Sequence, residues 1–179
     1  RPLDVRTFLG LEKPAEPAVS PDGRWVVYTV VTTDVGANRR RQDLWLQPFD
    51  SAAGRKISVD SIGGRSAKWS PDGRQIAYIN SRGGTPQIWL YDVATRRHTK
   101  LTSLSTGADG VLWSPSGQML LFASEVYFDC PDDACNRRRA AEDEARPSRA
   151  RVIDNLLYRH WNVWEDGLRS HLFVVPAAG

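Results

Sequence analysis

A short turn recurs three times along the chain and constrains its fold more than any other feature. The copies are Ser20-Pro21-Asp22-Gly23, Ser70-Pro71-Asp72-Gly73 and Ser114-Pro115-Ser116-Gly117. Proline sets φ at the second position, the Asp or Ser side chain supports the turn, and glycine accepts a positive φ. The copies begin 50 and 44 residues apart, a period that suits one four-stranded propeller blade of roughly 40–50 residues. Each copy lies between two apolar runs, so we predict a hairpin turn inside each blade.

The repeat predicts an all-β fold, a partial β-propeller of about three blades with the last incomplete. We expect blades at about 18–60, 66–102 and 110–179, after an N-terminal lead-in at 1–17 that carries three prolines. Trp69 and Trp113 directly precede two of the turns and are expected to pack between stacked blades. Complete rings have four to eight blades. We therefore expect this chain to be part of a longer polypeptide or, alternatively, to complete a ring by homo-oligomerisation.

The third blade is predicted to contain a long insertion at 125–170. The centre of the insertion, 132–146, is charged, contains alanine and lacks β-branched residues, which favours a helix. Pro147 is expected to end that helix. Insertions of this size commonly lie on one surface of a fold and make functional contacts.

The charge balance and hydropathy exclude several partners. The chain has 24 basic and 21 acidic residues, a net charge of +3, and the short basic runs at 39–41 and 137–139 are typical of solvated surface. We therefore predict no nucleic-acid partner. No stretch approaches the ~18 consecutive apolar residues of a membrane span, so none is predicted. The chain begins with Arg rather than Met, which indicates a mature or trimmed form.

The two cysteines, Cys130 and Cys135, lie close together in a polar segment. Their spacing leaves two alternatives open: a local disulfide, which would indicate an oxidising compartment, or two free thiols. A metal site is not expected, because two thiolates without a nearby histidine supply too few ligands. Neither G-x-x-x-x-G-K-[ST] nor G-x-G-x-x-G occurs, and we predict no cofactor.

We predict no catalytic residue in this chain. The Gly-x-Ser-x-Gly motif that presents a nucleophilic serine is absent. Of the three histidines, only His160, between Arg159 and Trp161, invites attention, and there we favour a hydrogen bond within the insertion over catalysis.

The repeated turns, with Trp69 before one of them and the run Ile-Trp-Leu-Tyr-Asp at 88–92 after it, resemble the N-terminal propeller of the prolyl oligopeptidase family. The similarity is greatest to its bacterial dipeptidyl-peptidase and acylaminoacyl-peptidase branches. The segment 158–174, with Arg159-His160-Trp161 followed by Trp164, is the more discriminating part. Similar turns occur in Tol-type periplasmic propellers, so a protein-interaction module is the alternative.

The resemblance implies a function for the chain. Family members join such a propeller to an α/β-hydrolase domain whose Ser-Asp-His triad cleaves short peptides. This chain would be the non-catalytic propeller portion, which gates access and helps to hold the substrate N-terminus. In dipeptidyl-peptidase relatives an acidic residue on a propeller insertion binds the free α-amino group, and Glu125 is the expected counterpart. We also predict a Cys130–Cys135 disulfide and a periplasmic or secreted protein.

Overall fold

The fold is taken from a computed structural model, which describes residues 4–51, 53–58, 63–82, 84–148, 150, 152–153, 156–157, 159–161, 163–164 and 166–178. A short helix, α1 (Val5–Leu9), precedes the sheets, and the Asp4 carboxylate accepts a hydrogen bond from the Thr7 N–H at its start. In the described part of the chain, no helix has the length and apolar character to cross a membrane.

Three antiparallel sheets follow one another along the chain. The first contains β1 (Lys13–Val19), β2 (Trp25–Asp34), β3 (Arg39–Pro48) and β4 (Arg55–Lys56), in that order. The second contains β5 (Arg65–Trp69), β6 (Gln75–Asn80), β7 (Gln87–Asp92) and β8 (His98–Lys100). The third contains β9 (Asp109–Trp113), β10 (Met119–Tyr127) and, after an insertion, β13 (Leu168–Pro176), in the order β13-β10-β9. These sheets confirm the predicted partial propeller with an incomplete last blade.

The insertion, residues 128–167, contains helix α2 (Asp133–Glu144) and a small hairpin of β11 (Arg159–His160) and β12 (Val163–Trp164). The predicted helix is confirmed, and Asp132 caps its N-terminus by accepting a hydrogen bond from the Cys135 N–H.

The repeated turns share one hydrogen-bonded geometry. The Ser20 hydroxyl donates to the Asp22 carboxylate at 2.6 Å and accepts from the Trp25 N–H at 2.9 Å. The second turn reproduces both bonds with the same distances through Ser70 and Asp72. The serine hydroxyls therefore lower the pKa of Asp22 and of Asp72. Gly23, Gly73 and Gly117 all have positive φ, as the turn requires.

Two apolar interfaces hold the three sheets together. The interface between the first and second sheets is centred on Val27, Leu46 and Ile76, and that between the second and third on Ile79, Ile88 and Leu120, all fully or almost fully buried. Burial of each such side chain contributes about 1.5–3 kcal/mol.

The predicted tryptophans lie at these interfaces and bridge the sheets. The Trp69 indole N–H donates to the Ala18 carbonyl at 3.0 Å, and the Trp113 indole N–H donates to the Lys68 carbonyl at 3.0 Å. Each ring also packs, partly buried, against the neighbouring core. Each tryptophan therefore bonds its own sheet to the first strand of the sheet before it, β1 or β5. We call the first strands β1, β5 and β9 the inner strands.

Two predicted boundaries differ from the structure. The first sheet begins at Lys13, five residues earlier than expected, because the prolines in β1 lie on an edge strand, where a missing N–H removes no essential ladder bond. The insertion is shorter than expected, because β10 and β13 stay paired as far as Tyr127 and Leu168. The predicted limits at 1, 60 and 179 lie outside the described residues.

Candidate functional site

The insertion leaves the third sheet at the end opposite the repeated turns. Strand β10 begins just after the Ser114 turn and ends at Tyr127, where the insertion starts. Cys130 and Cys135 form a disulfide across its first residues, with the Cα atoms 5.4 Å apart. The bond joins the chain just after β10 to the first turn of α2 and limits how far the helix can move from the sheet.

Helix α2 is anchored to β10 mainly through Asn136, the one buried residue of the helix. Its amide oxygen accepts the Tyr127 N–H at 2.9 Å, and its amide nitrogen donates to the Asp132 carbonyl at 3.0 Å. The Tyr127 hydroxyl donates to Asp143 at 2.9 Å, and burial, followed by that carboxylate, raises the pKa of Tyr127. The helix is therefore held by buried hydrogen bonds rather than by an apolar face.

A second anchor joins α2 to the loop between the second and third sheets. The Asp133 carboxylate accepts hydrogen bonds from the Ser105 N–H at 2.8 Å and from the Ser105 hydroxyl at 2.6 Å. Burial works to raise the pKa of Asp133, but these bonds and the neighbouring Arg137 outweigh it, so the pKa is lowered. The ionised Asp133 carboxylate therefore holds α2 against the loop that connects the second and third sheets.

Glu125, the residue predicted to bind a substrate amine, lies in β10 and not in the insertion. It is exposed and pairs through its backbone with Ser170 of β13. Its side chain shares a face with Ala123 and Leu121, because alternate residues of a strand point the same way. Among the described ion pairs none includes Glu125, and the carboxylate is accessible to a cationic group.

A second candidate region lies where the inner strands β1, β5 and β9 meet. Each has a bulge, and the bulged residues Glu16, Ser66 and Gly110 have φ of 52°, 55° and 64°. A cleft of about 420 Å³ opens beside them, lined by Glu16, Pro17, Ser66, Lys68 and residues 110–112. Bulges aim side chains away from the regular ladder, here towards the line along which the three inner strands converge.

Polar contacts join the bulges of neighbouring sheets. The Glu16 carboxylate accepts from the Ser66 N–H at 2.8 Å and from the Thr29 hydroxyl at 3.2 Å. Arg65 and Asp109 form a bidentate pair at 2.9 and 2.7 Å. The Arg65 guanidinium lowers the pKa of Asp109, and the Asp109 carboxylate raises that of Arg65. The sequence analysis missed these residues, although they recur at the same offsets as the turns, because their residue types differ from blade to blade.

The histidines form no catalytic arrangement in the described part of the chain. His98 Nδ1 lies 2.8 Å from the Tyr78 hydroxyl, and His171 is exposed in β13 opposite Ser124. The backbone of His160 pairs with Val163, while its side chain, about which we predicted a hydrogen bond, lies outside the described residues. No group of three His, Cys, Asp or Glu side chains that could hold a metal occurs among the described residues.

Comparison with known proteins supplies a relative along nearly the whole chain. No family model matches. Dipeptidyl-peptidase 5 of Porphyromonas gingivalis is 27% identical over 175 residues, which are 98% of this chain and 25% of that enzyme. Dipeptidyl-peptidase 5 of Porphyromonas endodontalis is 30% identical over 90% of this chain and 22% of the enzyme. The chain is homologous to part of dipeptidyl-peptidase 5. It spans about a quarter of the length of these relatives.

Solved structures share the fold. The acylaminoacyl peptidase of Pyrococcus horikoshii superposes with a TM-score of 0.72 at 16% identity, over 98% of this chain and 25% of that one. The β-propeller domain of the trilobed protease from Pyrococcus furiosus gives 0.50 at 19% identity, over 63% of this chain and 33% of that one. TolB from Acinetobacter baumannii gives 0.50 at 23% identity over 63% of this chain and 27% of that one. The predicted resemblance to dipeptidyl-peptidase and acylaminoacyl-peptidase propellers is confirmed.

Proposed function

We propose that this chain is the non-catalytic propeller portion of a serine peptidase that cleaves short peptides. The observation that carries the proposal is the homology to dipeptidyl-peptidase 5 along 98% of the chain but only a quarter of the enzyme. The rest of the polypeptide then includes the α/β-hydrolase domain that supplies the nucleophile. A complete ring built only from copies of this chain is the alternative. Such a ring would contain no hydrolase domain, and the homology to a peptidase would then have no functional explanation.

The proposed role of the propeller is to restrict access by size. The cleft beside Glu16, Ser66 and Lys68 has polar and apolar walls, and a hydrogen bond between sheets fixes its shape. Its volume of about 420 Å³ suits a segment of extended peptide and not a folded domain. The natively isolated protein should therefore release dipeptides or acylated residues from peptides of about ten residues and leave a folded protein intact. Equal cleavage of both substrates would refute gating.

Glu125 is proposed to hold the α-ammonium group of the peptide. Its carboxylate is exposed at the end of β10 nearest the insertion, and a carboxylate binds an ammonium more strongly than a neutral group does. Loss of such a bond costs about 1.5–3 kcal/mol. We therefore expect Glu125→Gln to raise KM about 10-fold or more for peptides with a free N-terminus and to leave N-acetylated peptides unaffected.

Glu144→Gln is the matched control, since Glu144 is an exposed carboxylate on α2. It should change neither KM. If Glu125→Gln lowers activity equally on free and acetylated peptides, Glu125 has a structural role and the amine-binding proposal is wrong.

The protein is proposed to be periplasmic or secreted. The disulfide between Cys130 and Cys135 supports this location, because such bonds persist in oxidising compartments. In protein isolated without reductant, peptide mapping should recover Cys130 and Cys135 as a linked pair that no thiol reagent alkylates before reduction. Alkylation of both residues in the native protein would contradict both the disulfide and the proposed compartment.

A Tol-type interaction module is the second candidate, favoured by the shared fold with TolB over 63% of the chain. That likeness covers 63% of this chain, whereas the homology to dipeptidyl-peptidase 5 covers 98% of it. A module would bind a protein partner and contain no serine that reacts with a fluorophosphonate. Labelling of the natively isolated protein by that probe separates the two functions.

A further inference from the structure

Arg55 lies partly buried between the first and second sheets. It pairs in register with Leu46, which is fully buried in the core between these sheets, and directly paired residues share a face. The Arg55 Nη2 atom is 3.5 Å from the hydroxyl oxygen of Tyr91, a buried residue of β7. The guanidinium of β4, the last strand of its sheet, therefore reaches the second sheet.

The guanidinium of Arg55 has fewer partners than its burial requires. Two buried side-chain nitrogen atoms of the described residues have no hydrogen-bond partner, Arg55 Nε and Trp89 Nε1, and only the first belongs to a charged group. None of the ion pairs among the described residues includes Arg55. A buried charge without a counterion is costly, and a buried donor normally has an acceptor. Arg55 therefore lacks an anionic acceptor within the described part of the chain.

The buried acid of the first sheet, Asp43, does not fill this role. It lies three residues before Leu46 in β3, so its side chain points to the opposite face of the sheet. Its carboxylate oxygens lie 2.9 Å from Arg41 Nε and 2.9 Å from Lys56 Nζ, and these two cations neutralise it. The charge of Asp43 is therefore balanced on the face away from Arg55.

The groups beside Arg55 suit an anion. The Tyr91 hydroxyl accepts the Arg55 contact and has a proton of its own to donate to another acceptor. The centroid of the Trp25 ring lies 5.8 Å from Arg55 Cζ, a distance at which an aromatic ring attracts a guanidinium. The His98 ring packs against the Tyr91 ring, with the centroids 4.8 Å apart. Two donors, a guanidinium and a phenol, are thus held side by side by aromatic rings.

We propose that Arg55 and Tyr91 bind one small oxyanion, a free phosphate or sulfate, between the first and second sheets. The guanidinium donates two parallel hydrogen bonds to the oxygen atoms of such an ion, and the Tyr91 hydroxyl donates a third. The site lies at the end of the sheets that carries the repeated turns, since Trp25 is two residues after the first of them. Glu125 lies at the other end, where β10 approaches the insertion. The proposal therefore depends neither on amine binding nor on peptidase activity.

Phosphate binding by the natively isolated polypeptide tests the site. Equilibrium dialysis against radiolabelled inorganic phosphate, with the ionic strength held constant by sodium chloride, should reveal a site that Arg55→Gln weakens at least about 10-fold. Tyr91→Phe keeps the buried ring and should weaken the same site by about 2- to 10-fold. Sulfate should compete for it. Arg74→Gln is the matched control, since Arg74 is an exposed arginine at the same end of the second sheet, and it should leave phosphate binding unchanged.

A second variant keeps the test decisive if Arg55→Gln does not fold. Arg55→Lys retains the charge but lacks the planar fork, and it should also lower the affinity for phosphate. Identical binding by the unaltered protein and the Arg55 variants would overturn the proposal, and water or a carboxylate of another segment would then be the partner of Arg55. A Kd above about 10 mM would indicate an adventitious ion only and would overturn the proposal as well.

Discussion

One contact of a glycine recurs at equivalent positions in the second and third sheets. The glycine before each of the last two inner strands, Gly63 and Gly107, has positive φ. Its carbonyl accepts a hydrogen bond from the side chain of Asn80 in one blade and of Ser124 in the next. The turns were predictable because their last position requires a positive φ, which glycine adopts without strain. The loop contacts were not, because they join residues 17 apart in sequence that meet only when the sheets form.

Replacement of Gly63 by alanine should be strongly destabilising. A Cβ there would lie 1.6 Å from the Gln42 carbonyl oxygen, so the backbone must move. Gly23→Ala is the matched control, because Gly23 has the same φ of 72° and nothing within 4 Å of the added Cβ. We expect a cost of about 1 kcal/mol for Gly23→Ala and more than about 3 kcal/mol for Gly63→Ala. Equal costs by urea unfolding would show that only φ matters.

Removal of the Trp113 indole N–H should weaken the contact between the second and third sheets. Trp113→Phe deprives the Lys68 carbonyl of its donor, and we expect a cost of about 1–2 kcal/mol beyond the loss of ring area. Trp89→Phe is the control, since Trp89 also packs, partly buried, against a core and its indole N–H has no hydrogen-bond partner among the described residues. Equal free energies of unfolding for the two variants would mean that the hydrogen bond adds no stability.

The sequence predicted the existence of the main strands and of α2, but it misplaced the ends of several strands. The strands around each turn follow from alternating apolar residues and turn chemistry, and the α2 helix follows from composition. The end of β10 and the start of β13 were misplaced because Tyr127 pairs with Leu168, 41 residues further along the chain, and no local sequence pattern indicates such a pairing. β1 was predicted too short because its prolines indicate a break, although an edge strand tolerates them. Of the candidate site, the sequence indicated Glu125 and the cysteines but neither the inner-strand bulges nor the Asn136 anchor.

The contact between inner strands should depend on pH. Because the pKa of Asp109 is lower in the folded protein than its usual value of 3.8, its contribution is present above about pH 4 and is lost as the pH falls through the folded pKa. We expect Asp109→Asn to cost about 0.5–1 kcal/mol at pH 7 and less at pH 3. Asp50→Asn, an exposed turn carboxylate, should show no such difference. A cost for Asp109→Asn that is the same at both pH values would contradict the role of the Arg65 pair.

At the scale of the whole molecule, one interface is used repeatedly. The first and second sheets each bury an apolar face against the next sheet, and the second and third each add an indole hydrogen bond to the inner strand of the sheet before. The corresponding face of the third sheet exposes the side chains of Leu112, Leu172 and Val174, and the homologous enzymes are about four times as long as this chain. Under the proposed function, this chain is a non-catalytic portion of a longer polypeptide, and the proposed catalytic serine lies outside residues 1–179.

The most direct test is the intact mass of the native protein, isolated without reductant and treated with a fluorophosphonate probe. We predict a polypeptide far above the 20.0 kDa of this chain, labelled once, at a serine outside residues 1–179. A native species of 20 kDa chains, single or assembled into a homo-oligomer, that does not react with the probe would contradict the account and favour an interaction module.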